Sequence, residues 1–352
     1  MFNRRRIIIV FFFAFLSNIV LLSALAKNKT FPQQRSMRYT SRSKEDAKVW
    51  QENVRAKLYQ LFKMDNTIQG RNLIPFNANV LFHADKGTYH ITEVEINSTA
   101  RRRIRAVVTV PNSKLKPFPA IVCIGGHGSS LYSPYAPISI AGQGKRKKSD
   151  SIYKGFGTVL AETEYVTIST TVSQHKVYEK GRLLMGERLW DLIRCVDYLQ
   201  SMPEVDEQRI GCGGLSLGGE MAMWLAAMDE RIVATVSSGF LTTMDQMEQN
   251  HCMCWKFEGL RKQVDFADIY SLIAPRPLQC QNGILESPTQ FYVPLARKAM
   301  EEIRVIYKDL GKPENVVLDI HEGGHIIDLL GLIYFFEKHL YNNRWKQIKN
   351  PR

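Results

Sequence analysis

A serine set among closely spaced glycines, Gly214-Leu215-Ser216-Leu217-Gly218, is the pattern in this chain with the clearest capacity for covalent chemistry. It follows an apolar stretch, Arg209-Ile-Gly-Cys-Gly213, and precedes helical spacing from about Gly219 to Met228. That order predicts a sharp strand-to-helix turn with Ser216 at its apex. Such a turn strains the serine backbone and needs small neighbours, which Gly213, Gly214, Gly218 and Gly219 supply. The helix start also aims a positive dipole end at any oxyanion forming beside the serine. The plainer alternative is a glycine-rich turn that only packs; the strand-before, helix-after context favours the nucleophile.

A serine hydroxyl is a poor nucleophile at neutral pH and needs a neighbouring base. Where the serine sits on such a turn, the chain order is nucleophile, acid, histidine. Of the downstream histidines, His251, His321, His325 and His339, we assign the base to His325. Its Gly323-Gly324 loop follows the last strand and lets an imidazole reach over a sheet. His321, at the strand end itself, is the rival. The acid is expected after a strand between Ser216 and His325. Glu286, just past Pro277–Gln281, fits, and Asp245 is the alternative. Asp319 and Asp328 are too close in sequence to His325 to reach its ring in the usual geometry. For the oxyanion, one donor is expected from the backbone of Leu217. The other is expected from His127 N–H in the glycine-rich run Gly125-Gly126-His127-Gly128.

These residues need a scaffold, and the hydrophobic pattern supplies one. A helical pattern runs from about Glu45 to Phe62, and alternation at Tyr89–Ile96 and Arg103–Val110 reads as antiparallel strands. The texture then changes to short apolar runs: Ala120–Ile124, Tyr165–Thr170, Arg209–Gly213, Ile232–Ser237, Pro277–Gln281 and Val316–Ile320. They alternate with helical spacing at Arg188–Leu199, Gly219–Met228, Leu295–Leu310 and Leu329–Tyr341. Short buried strands alternating with helices predict a mostly parallel central sheet with helices on both faces and an N-terminal antiparallel extension. Each chemically suggestive motif falls at the carboxyl end of a strand, where such folds place their sites. No internal repeat or linker divides the chain. We expect one domain over 45–345, preceded by a leader at 1–26 and a flexible lead-in at 27–44.

The chain resembles exported bacterial α/β-hydrolases of the acetyl xylan esterase-like and dienelactone hydrolase-like kind, from about Trp50 to Leu340. The resemblance is carried by Gly125-Gly-His-Gly128, Glu187-Arg-Leu-Trp-Asp-Leu192, Pro203-Glu-Val-Asp-Glu-Gln-Arg-Ile-Gly211, the turn at Ser216, Ile273-Ala-Pro-Arg-Pro277 and Gly323-Gly-His325. It implies the α/β-hydrolase fold, a Ser-His-acid triad, no metal or other cofactor, and acyl groups on carbohydrate as substrates. The chain departs from the pattern in three places. Glu286 stands where relatives usually carry Asp, the loop reads Gly-Gly-His-Gly rather than His-Gly-x-Gly, and Ser216 takes the place of the cysteine of dienelactone hydrolases proper.

The functional expectation is a serine esterase that deacylates a small acylated or carbohydrate substrate. A prolyl-oligopeptidase-type peptidase is demoted because 27–119 is too short for the propeller that usually precedes its catalytic domain. A non-catalytic binding protein on the same fold usually lacks the serine or the histidine. The 352 residues are 45% hydrophobic, enough for a sizeable core, and carry a net charge of +13. Part of that charge is the run Lys145–Lys148, read as a solvated loop rather than a surface for an anionic polymer. No nucleic-acid module is present in the pattern. Arg4–Arg6, the apolar run from Ile7 and Ala24-Leu-Ala26 form a signal-peptide pattern, so secretion or a periplasmic location is expected. Membrane attachment follows only if that leader stays uncleaved. Cys123, Cys212 and Cys280 fall in apolar runs and read as buried thiols. Cys252 and Cys254 read as structural loop cysteines, because no further ligands stand at metal-site spacing around them.

Overall fold

The computed structural model describes residues 35–64, 70–135, 148–249 and 251–341. The leader at 1–26 and the basic residues Lys145–Lys147 lie outside the described residues. Nine strands form one sheet: β1 (Asn79–Asp85), β2 (Tyr89–Asn97), β3 (Arg103–Pro111), β4 (Phe118–Ile124), β5 (Val166–Thr170), β6 (Val205–Leu215), β7 (Ile232–Ser238), β8 (Leu278–Gly283) and β9 (Val316–His321). Their spatial order is β1-β2-β3-β5-β4-β6-β7-β8-β9. The pairs β1/β2, β2/β3 and β3/β5 are antiparallel, and the pairs from β5/β4 to β8/β9 are parallel. This is the expected α/β-hydrolase arrangement, parallel centre and antiparallel extension included. β1 is an addition not read from the sequence: it covers the β2 edge, mostly exposed, with Phe82 and Ala84 packed against the small cluster beneath.

Period-two alternation sorts the central strands onto two cores. On β4, Ala120, Val122 and Ile124 pack into the larger cluster, while Ile121 and Cys123 face the smaller one. The larger face is covered by α1 (Lys44–Phe62), α3 (Leu184–Gln200), α4 (Leu217–Met228), α7 (Phe266–Ser271) and α8 (Val293–Asp309). The other face is covered by α2 (Phe156–Glu162) and α9 (Leu329–Leu340). Two short turns of helix, α5 (Met244–Met247) and α6 (Leu260–Gln263), lie in the long connection between β7 and α7. The glycines of β6 have a packing reason: Phe336 of α9 presses on that strand, and a Cβ at Gly211 would come within 3.1 Å of its ring.

The segment expected to be a flexible lead-in is held down where it is described. Met37 N–H donates to the Gln263 carbonyl (2.8 Å), Tyr39 N–H donates to Asp268 (2.9 Å), and the Tyr39 hydroxyl donates to Asp309 (2.8 Å). Tyr39 is buried edge-on against Trp50, and Arg35 pairs with Asp265, Asp268 and Glu302. Polar composition suggested a loose tail; the acidic patch formed by α7 and α8 is what captures it.

Candidate active site

The carboxyl ends of β4, β6, β7, β8 and β9 lie side by side along one edge of the sheet, and the motif residues follow them. Ser216 occupies the turn from β6 to α4 at φ 62°, ψ −124°. A non-glycine residue holds such a conformation only when its surroundings enforce it. They do so here: Ser216 N–H donates to the Ser238 carbonyl (2.9 Å), and Gly214 and Gly218 lie against the carbonyl of Ile124, leaving no room for a Cβ at either. Ser237 adds a bond from its hydroxyl to the Gly219 carbonyl (2.9 Å), fastening the start of α4 to β7.

The loops after β8 and β9 are zipped together. Ile284 N–H donates to the His321 carbonyl (2.8 Å) and Leu285 N–H to that of Gly323 (3.1 Å). Gly283 packs so closely on Gly323 and Gly324 that a side chain there would overlap both carbonyls. This pairing delivers Glu286 to His325, with Nδ1 and Oε1 2.9 Å apart. Glu286 is buried, with its side chain 1% exposed against 29% for the imidazole. An ionised carboxylate only accepts, so Nδ1 carries the proton and Nε2 keeps its lone pair. Phe291 stacks on the ring (centroids 5.2 Å apart, 14° between planes), and Gly239, at φ 55°, brings its Cα against the ring's other side. Gly239 directly follows the Ser238 carbonyl that holds Ser216, so one short stretch of backbone links the serine to the histidine.

Of the rival assignments, Asp245 lies away from this pair, whereas His321 stays close to it, opposite Gly283 and within electrostatic reach of Glu286. Asp245 sits on α5, paired with Arg261 and 60% exposed. The His321 Nδ1 accepts from Gly323 N–H (3.2 Å), which ties it to its own loop. The loop after β4 lies over the serine, since a Cβ at Gly126 would stand 3.2 Å from that of Ser216. Gly126 N–H is taken by the Tyr153 hydroxyl (2.7 Å), whereas the N–H groups of Leu217 and His127 have no acceptor among the described residues. Tyr153, Phe291 and Gly239 carried no sequence signal of their own; each matters only through a contact made across the fold.

The Glu187–Leu192 run has a structural explanation. Glu187 accepts the N–H groups of Tyr178 and Glu179, and Asp191 holds Arg102 bidentately (2.6 and 2.8 Å). The buried Arg188 donates to the Gln174 carbonyl (2.5 Å) and to Cys254 Sγ (3.4 Å). This helix face therefore fixes the loop between β5 and α3 along the site's rim. The cysteines expected as structural loop residues lie there, with candidate ligands beside them that sequence spacing did not show. Two histidines from other loops join Cys252 and Cys254: His127 Nε2 stands 3.2 Å from Cys254 Sγ, and His175 Nε2 3.3 Å from Cys252 Sγ. Burial, then the charge of Arg188, hold the His127 imidazole down to about 4, so it is neutral at physiological pH.

A family model for acetyl xylan esterase (AXE1) matches residues 71–249, just over half of the 352-residue chain. Among curated proteins, YtaP of Bacillus subtilis, named as a hydrolase, is 35% identical over 102 residues, which are 28% of this chain and 34% of that one. The chain spans about a third of the length of the curated relatives it matches. Among solved structures, one named as an acetyl xylan esterase from Bacteroides fragilis superposes with a TM-score of 0.67 at 18% identity, covering 91% of this chain and 88% of that one. A family 15 glucuronoyl esterase from Caldicellulosiruptor kristjansonii gives a TM-score of 0.59 at 15% identity, covering 89% and 90%. At such identities the likeness speaks for the fold.

Proposed function

Because the chain belongs to the acetyl xylan esterase family of carboxylic-ester hydrolases, we propose that it removes acetyl or another small acyl group from a carbohydrate or polysaccharide fragment through an acyl-enzyme on Ser216. The observation that carries this reading is the buried Glu286 bonded to His325 Nδ1 beside a serine held on a strained turn. In the proposed mechanism His325 Nε2 takes the Ser216 proton as Oγ attacks the ester carbonyl. Glu286 holds the tautomer and stabilises the imidazolium. The N–H groups of Leu217 and His127 receive the oxyanion. The tetrahedral intermediate then collapses and the bond from the acyl carbon to the sugar oxygen breaks. The imidazolium of His325 protonates that oxygen, so the sugar leaves as its hydroxyl. A water deprotonated by the same imidazole attacks the acyl-enzyme, and Ser216 regains its proton as the acid is released. Export, to the cell surface, the periplasm or the medium, is proposed from the leader pattern and suits a polymeric substrate. No helix of the described residues is long and apolar enough to cross a membrane.

Ser216→Ala is expected to lower kcat for p-nitrophenyl acetate by roughly 10⁴-fold or more without lowering the melting temperature. A fluorophosphonate probe followed by peptide mass spectrometry should place the adduct on Ser216. A variant that keeps full turnover, or an adduct on another residue, would remove Ser216 from the role of nucleophile.

A further inference from the structure

His127, His175, Cys252 and Cys254 come from three separate loops and point their ligand atoms at one place. The four donor atoms all lie within 4.8 Å of one another. His127 follows β4, His175 lies between β5 and α3, and the two cysteines flank Met253 in the connection after β7. The two imidazoles are stacked 5.4 Å apart at 25°, and each presents Nε2 to a different sulfur. A tetrahedral zinc ion with bonds of about 2.0–2.1 Å to nitrogen and 2.3 Å to sulfur sets its ligand atoms roughly 3.3–3.8 Å apart. The observed nitrogen–sulfur separations of 3.2 and 3.3 Å are near that range, so small side-chain rotations would close the site. Two imidazoles and two thiolates suit zinc's borderline softness and leave no net charge on the centre.

We propose that these four residues bind one zinc ion that staples the three loops bordering Ser216. With four protein ligands the coordination is closed, so the metal acts as a clasp and not as a water activator. Arg188 is the positioning residue: fully buried in α3, it holds Cys254 Sγ and the carbonyl next to His175, orienting one ligand from each side of the pair. Burial raises the Cys254 thiol to about 12 against the pull of Arg188, so zinc must displace that proton, as it does at cysteine ligands generally. His251, despite its place beside Cys252, is committed to the Thr289 carbonyl (2.9 Å) and lies outside the set. The site stands on these contacts alone and holds whether or not Ser216 is the nucleophile.

The test uses the full chain, reduced and freed of metal under anaerobic conditions. Titration with cobalt(II) should give sulfur-to-metal charge-transfer absorption and the intense visible bands of a four-coordinate centre, saturating at one ion per chain. Zinc should then bleach both and raise the melting temperature. Cys252→Ser and His175→Gln, both at exposed positions, should each weaken metal binding by more than about 100-fold, a larger loss than removal of an outer-shell partner causes. No charge-transfer band in the parent, saturation below half an ion per chain, or a Cys252→Ser protein that binds as tightly as the parent would each overturn the site.

Discussion

At the scale of residues, the assignment of Glu286 is the one most open to a direct measurement. Its carboxylate is bonded to His325 Nδ1, while Asp245 is exposed and paired with Arg261. Glu286→Gln removes the negative charge and lets an amide NH2 face Nδ1, which favours the wrong imidazole tautomer, and is expected to lower kcat by roughly 10²–10⁴-fold, with little change in KM. Asp245→Asn should leave both constants unchanged; the reverse pattern in a p-nitrophenyl acetate assay would transfer the role of the acid. The placement of Ser216, Glu286 and His325 just past the ends of β6, β8 and β9 was legible in the sequence because each follows a short apolar run. The grouping of His127 and His175 with Cys252 and Cys254 was not legible. Its ligands are up to 127 positions apart, and no spacing rule covers loops that meet only after folding.

At the scale of elements, the end of β9 and the start of α9 hold a pair of acids with a pH signature. Asp319 and Asp328 crowd the Cα of Gly331, where a Cβ would come within 2.6 Å of Asp319 Oδ2. Burial first, and then the charge and hydrogen bond of Asp328, raise Asp319 to about 6 from 3.8. Between those two values the folded state holds more protons than the unfolded chain, so stability falls as pH rises from about 4 to about 6 and stays lower above. Asp319→Asn should therefore melt about 1–3 °C above the parent at pH 7.5 and show no advantage at pH 4. Equal melting temperatures at both pH values would mean that the pair carries no such penalty. Strands β2 to β9 and the five longer helices were readable from periodicity, with ends displaced by a few residues, while the short helices α2, α5, α6 and α7 were not singled out. β1 escaped because on this edge strand only Phe82 and Ala84 turn toward a core, while Val80 and Leu81 stay exposed and blur the alternation.

At the scale of the whole molecule, alternation of short apolar runs with helical spacing was enough to give the parallel sheet and its two covered faces. Polar composition misled at the N-terminal segment, where ion pairs and one buried tyrosine replace the apolar signal. Burying a side chain such as Tyr39 contributes about 1.5–3 kcal/mol. A protein beginning at residue 44 should accordingly melt roughly 2–5 °C below one beginning at residue 35 in scanning calorimetry. An unchanged transition would show that the segment rests on the domain without supporting it. The aromatic shelf beneath His325 bears on how this architecture diversifies. With Phe291 stacked on the ring, the Gly239 backbone close to its Nδ1 and Cε1 atoms and Glu286 bonded to Nδ1, the imidazole is seated by its surroundings before any ligand arrives. Variation in what the proposed site accepts is then expected in the borders of the cleft, where loops can lengthen or exchange side chains while the imidazole keeps its seat.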